Sequence, residues 1–206
     1  IFVDGAEVYQ KAVFLSSVDY SLRAYARLGS RIDFVLDAGA ANNDNCDNSI
    51  FTAKVDTEDP NIVVVADSVA DWSSSGIQGE KNWFYGYYNK TADTVPGYQA
   101  TNFIAFPRND GPQSAGNFWT GTMWDWFNGN PPWDELGQMA EHPNGNNSTG
   151  GEHWVIRRWV SKVSGRITVD WTLAKLNTAG GNGVTGRIFR NGVQMDSAVI
   201  AGPDGL

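Results

Sequence analysis

Along much of the chain, apolar residues fall at every second position. This is the period of a strand with one buried face. Leu22, Ala24 and Ala26 alternate with Ser21, Arg23, Tyr25 and Arg27. Residues 31–37 form a second such segment, and Phe51, Ala53 and Val55 keep phase in a third over 50–55. Ile62 to Val65 is a continuous apolar run of the fully buried kind, and residues 83–88, WFYGYY, read as an aromatic strand. Regular strands resume over 154–160, 165–176 and 183–200. No amphipathic helix of useful length is present. Many short strands joined by Gly- and Asn-rich turns predict an all-β protein: an antiparallel, jelly-roll-like sandwich. A chain of 206 residues is long enough for one large sandwich, or for one and part of a neighbour.

Two turns stand out. Ile1-Phe2-Val3-Asp4-Gly5-Ala6 and Ile188-Phe189-Arg190-Asn191-Gly192-Val193 lie 187 residues apart and share one form, strand, Asx-Gly, strand. Asx-Gly between apolar runs signals a type I′ hairpin, because both turn residues need positive φ. The likeness continues loosely, with 196–200 beside 10–14. Coincidence is one explanation, since such hairpins are common. The others are a tandem array seen through a window that falls mid-module, and chains that complete one another by strand exchange. On these two readings Ile1, Phe2, Val3, Ile188 and Phe189 are junction residues. The chain opens at Ile1 without an initiator Met and is expected to be processed or part of a longer protein.

From 107 to 152 the alternation loosens into Gly, Asn and Pro with scattered tryptophans. This is too long for an ordinary loop. Phe118, Trp119, Trp124, Trp126, Phe127 and Trp133 lie within it. Three uses stay open: stacking on the apolar faces of sugar rings, a local core beneath the excursion, or contact with a neighbouring subunit. Trp83, Tyr85 and Tyr87 share one face of their strand, with Phe84 and Tyr88 out of phase. Trp83 and Tyr85 are candidate ligand or interface aromatics; the alternative is that one side of the strand is core and the other sheet surface.

Composition narrows the partners. The net charge is −8 and no basic run occurs, which disfavours nucleic acid and anionic bilayers. No apolar stretch approaches the length of a membrane helix. Cys46 is the only cysteine, so no internal disulfide forms. Asp37, Asp44 and Asp47, with Asn43 and Asn45, place hard oxygen donors on one turn. That composition suits a structural Ca²⁺, although the spacing is not that of an EF-hand, and Asx turns would use the same residues. His142 and His153 stand beside Glu141 and Glu152 without metal-site spacing. Of Arg157 and Arg158, alternation sends one to each face. The inward one needs a buried carboxylate such as Asp33 or Asp170, and the other is expected in solvent. No nucleophile elbow or phosphate loop occurs, so the chain is expected to be non-catalytic.

Several motifs together resemble a β-sandwich module that recurs in large secreted bacterial surface proteins. Gln78-Gly79 with Trp83 and Tyr85-Gly86-Tyr87-Tyr88 is similar to its opening. Glu141-His142-Pro143 with Trp154-Val155-Ile156-Arg157-Arg158-Trp159 is similar to its middle. Lys175-Leu176 and Gly183-Val184-Thr185-Gly186-Arg187-Ile188 resemble the strand before its hairpin. Residues 31–53 resemble its end. The order is inverted: 1–55 looks like the back of a module, 56–66 connects, and 67–206 looks like the front of one, with the insertion 107–152. Such modules resemble carbohydrate-binding sandwiches. The resemblance therefore implies an extracellular or cell-surface protein without membrane insertion. Its expected role is a subunit or repeat of a filament, sheath or surface layer that contacts its own kind. The alternative is a module that binds polysaccharide.

Overall fold

The computed structural model describes residues 2–3, 6–7, 18–59, 61, 64–127, 131–147 and 151–201. Its strands are β1 (Phe2–Val3), β2 (Ala6–Glu7), β3 (Val18–Ala26), β4 (Arg31–Asp37), β5 (Ser49–Thr57), β6 (Val64–Asp67), β7 (Trp83–Asn89), β8 (Ile104–Ala105), β9 (Trp124–Asp125), β10 (Glu135–Leu136), β11 (Ala140–His142), β12 (His153–Val160), β13 (Gly165–Lys175), β14 (Gly183–Arg190) and β15 (Val193–Ala201). Two antiparallel sheets pack face to face as the sandwich that alternation predicts. One runs β3-β13-β5-β11-β10-β9, and the other β15-β14-β4-β12-β7-β8. The outer edge of β5 is divided: Ser49 and Ile50 pair with β11, while Lys54, Val55 and Asp56 pair with β6. No helix among the described residues is long and apolar enough to cross a membrane.

Strands from both ends of the sequence interleave. Residues 18–57 supply β3 and β5 to the first sheet and β4 to the middle of the second, between β14 and β12. The segment 107–152 supplies β9, β10 and β11, which extend the first sheet beyond β5. These strands have two or three residues each, too few to show a period in sequence.

The inner faces meet over Phe34, Phe51, Trp83, Trp159, Trp171 and Trp124, all buried. Phe34 lies 5.8 Å from Trp83 and Phe51 5.5 Å from Trp171, ring centre to ring centre. Close, tilted aromatic pairs of this kind add specificity to area burial. The second sheet is covered on its outer face as well. There Val35, Tyr88, Trp154, Ile156 and Phe189 form a separate cluster with Tyr98 and Ala100 from the segment after β7. This second cover explains why β4 and β12 are buried along nearly their whole length. Gly86 is required where β8 crosses β7, because a Cβ there would stand 2.1 Å from the Ile104 carbonyl oxygen.

Candidate functional site

The place beside β4 is where the repeated hairpin sits. The side chain of Ile188 enters the main core, while that of Phe189 points to the outer cluster, 4.5 Å from the Tyr98 ring. The turn has φ 51° at Asn191 and 87° at Gly192, the paired positive values of a type I′ turn. The backbone N–H of Arg31 donates to Asn191 Oδ1 and the N–H of Asn191 donates to the Arg31 carbonyl, each at 2.8 Å. The Arg190 guanidinium donates to the Tyr25 carbonyl at 2.9 Å, tying the hairpin to the opposite sheet. The hairpin of β14 and β15 thus completes its own chain's sheet.

Among the described residues, β1 and β2 pair with each other as a two-stranded sheet, and β1 lies beside β15. Phe2 pairs with Glu7 and Val3 with Ala6; Phe189 pairs with Gln194 and Arg190 with Val193. The two registers coincide when shifted by 187 residues. Ile1 lies outside the described residues.

The aromatic segment is mostly interior. Trp124 has no exposed surface and packs on Trp119 at 5.2 Å and Phe106 at 6.2 Å. Trp119 is buried too, with a ring so close to Gly76 that any Cβ there would overlap it. Trp126 is half-buried at 4.9 Å from Phe118, and Trp133 is half-buried near His142. Trp83 and Tyr85 are sealed in the core, as the alternation of β7 requires. Tyr88 is equally buried on the other face, so the expected sheet surface is a second core. Among the described residues of this segment, no broad aromatic platform faces solvent.

The charged residues form buried pairs. Arg157 turns inward and donates from Nε to Glu141 Oε1 at 2.5 Å, and to the carbonyls of Gly137 and Gln138. Arg158 turns outward, yet it is also buried. It donates to both oxygens of Asp33, to the Tyr98 hydroxyl and to the Ala100 carbonyl. The expectation of one solvated arginine is therefore corrected: the segment carrying Tyr98 covers that face. Asp33 pairs with the outward arginine, and the inward one takes Glu141. Asp134 was not foreseen. Its carboxylate lies 2.5 Å from His153 Nδ1, with both groups buried and the imidazole packed on Tyr87 and Trp126. The alternation of β12 places His153 inward, and that was the available signal.

The three candidate calcium ligands face different partners. Asp37 accepts from Arg187 Nε at 2.6 Å, and burial raises its pKa against that pull. Asp44 accepts from Asn147 Nδ2 and the Gly145 N–H. Asp47 is buried 3.9 Å from Lys175 Nζ, and burial pushes its carboxyl up to about 7. Among the described residues, no group of three or more His, Cys, Asp or Glu side chains is placed to hold a metal ion.

Two of the grooves on the surface of the described residues are lined by polar side chains. One, of about 480 Å³, crosses the outer face of the first sheet, where Asp19, Ser21, Lys54, Asp170 and Thr172 point outward. The other, of about 380 Å³, lies in the loop 108–121 between Arg108, Asn109, Gln113, Asn117 and Thr120, with Trp119 at its wall.

Fold and site together define a two-sheet antiparallel β-sandwich. Comparison with protein families, curated proteins and solved structures finds no match.

Proposed function

We propose that this chain is a non-catalytic structural repeat of an extracellular array, such as a filament, sheath or surface layer, whose neighbouring copies meet at the duplicated hairpin. The observation that supports this most is the recurrence of Ile-Phe-x-Asx-Gly after 187 residues, in two places whose flanking strands both pair as hairpins. One of the two completes the sheet beside β4. A chance Asx-Gly turn would not require the flanking Ile-Phe pair to recur in the same phase. The acidic charge of −8 and the single cysteine suit an extracellular setting without disulfides. A chain of two copies, residues 1–187 followed by residues 1–206, tests the proposal by small-angle scattering and electron microscopy. Two sandwiches held at one fixed spacing support it. Two sandwiches that move independently overturn it.

Polysaccharide binding is the second reading, and the loop groove supports it. Asn109, Gln113 and Thr120 bring amides and a hydroxyl to a groove that Trp119 also lines, the groups that recognise sugar hydroxyls. A glycan array with the parent chain and the Gln113→Ala variant tests it. A neutral glycan bound by the parent and lost in the variant supports the reading, and an empty array removes it.

A further inference from the structure

We infer that the place beside β4 accepts either of two hairpins, residues 188–201 or residues 1–14, so that in an array the closing hairpin of one copy is the opening hairpin of the next. This rests on the repeat reading above and specifies its junction.

The argument is one of topology and reach. Val18, the first residue of β3, pairs with Leu173 near the end of β13. Ala201, the last residue of β15, pairs with Gly183 at the start of β14. Lys175 and Gly183 stand at the same end of the sandwich. Lys175 pairs with Ser49 at the start of β5, Thr185 pairs with Asp37 at the end of β4, and β4 runs into β5 there. The exit of β15 and the entry of β3 are therefore at one end. They are also on one side, because β3 and β15 are the terminal strands of their sheets and the Trp171 indole, next to β3, donates to Asp196 in β15.

In sequence, Phe14 stands beside Ile200, and only residues 15–17 separate it from Val18. Those four steps reach at most about 14 Å. Packed sheets lie about 10 Å apart. A hairpin made of residues 1–14 can thus occupy the place of residues 188–201, leaving residues 183–187 of β14 beside β4, and run directly into β3.

The side chains match the place. Ile1 and Phe2 repeat Ile188, which fills the core, and Phe189, which meets Tyr98. Asp4 offers the same kind of acceptor that Asn191 gives to Arg31, and Gly5 repeats Gly192. In the sequence alignment, Ala12 and Phe14 correspond to the buried Ala198 and Ile200. The opening copy carries one extra residue after the turn. It falls where the register of β14 with β15 already slips, between Ile188 and Phe189.

The test uses the full chain. The paired variant Ile188→Asp with Phe189→Asp expels the resident hairpin. If residues 1–14 take its place, the chain still melts cooperatively, within about 10 °C of the parent. Hydrogen exchange then shows new protection over residues 1–14. The pair Ile1→Asp with Phe2→Asp changes nothing alone, and combined with the first pair it abolishes cooperative melting. If the first pair alone abolishes melting as fully as all four substitutions, the inference is overturned. The array reading then still stands or falls by the two-copy chain.

Discussion

Arg157 and Glu141 bridge the two sheets from inside. Arg157 belongs to β12, Glu141 to β11, and their charged groups meet at 2.5 Å without access to water. Such a pair contributes little over a well-packed apolar replacement, but losing one partner strands the other charge in the interior. Glu141→Ala is expected to lower stability by about 3–5 kcal/mol in urea unfolding. The double variant Glu141→Met with Arg157→Met should recover most of that loss. Equal losses in the single and double variants would show that packing, not charge, decides at this point.

Gly192 and Gly5, which share a place in the repeated Asx-Gly sequence, are expected to differ in effect. Gly192 sits at φ 87° in the hairpin that completes the sheet, where a Cβ is strained. Gly192→Ala should cost about 1–2 kcal/mol. Gly5→Ala should leave the unfolding curve in place, because residues 188–201 already hold the position beside β4. A Gly5→Ala loss as large as that of Gly192→Ala would mean that the opening hairpin carries stability of its own.

Legibility followed periodicity. Residues 31–37, 165–175 and 183–190 form strands where alternation places them, because one face of each meets the opposite sheet. The strands of the 107–152 segment were not legible, since pairs such as Trp124–Asp125 and Glu135–Leu136 are held by neighbours rather than by a pattern of their own. The choice of Glu141 over Asp33 as partner for Arg157 was also hidden. Sequence alternation separates the two arginines by face, but the segment bearing Tyr98 and Ala100, which buries Arg158 as well, is distant in sequence and has no period. The hairpin around Asn191 and Gly192 was visible because a type I′ turn constrains residue identity directly, and its register then followed.

Trp124 separates a core from a ligand surface. It is fully buried among Trp119, Tyr85 and Phe106, so Trp124→Ala opens a cavity. A loss of about 3–5 kcal/mol is expected, measured by urea unfolding. Trp133 is half-buried, with His142 its nearest ring at 6.4 Å, and Trp133→Ala should cost about 1 kcal/mol. A reversed order would place Trp133, not Trp124, at the structural centre of the segment.

Glu135 and Asp125 face each other across β10 and β9, two carboxylates in one cross-strand pair. Burial first, and then the charge of Asp125, push the Glu135 carboxyl up to about 6. The unfolded chain releases that proton near pH 4.3. Between those values the folded state binds more protons than the unfolded one, so stability falls as pH rises through 6. The contribution is fully present only below about pH 4. Glu135→Gln removes the charge and should be more stable than the parent at pH 8 by about 1 kcal/mol, after allowance for the group's partial exposure. Near pH 4 the two should unfold at nearly the same urea concentration. A difference that did not change with pH would assign the effect to hydrogen bonding at residue 135 rather than to burying a negative charge beside Asp125.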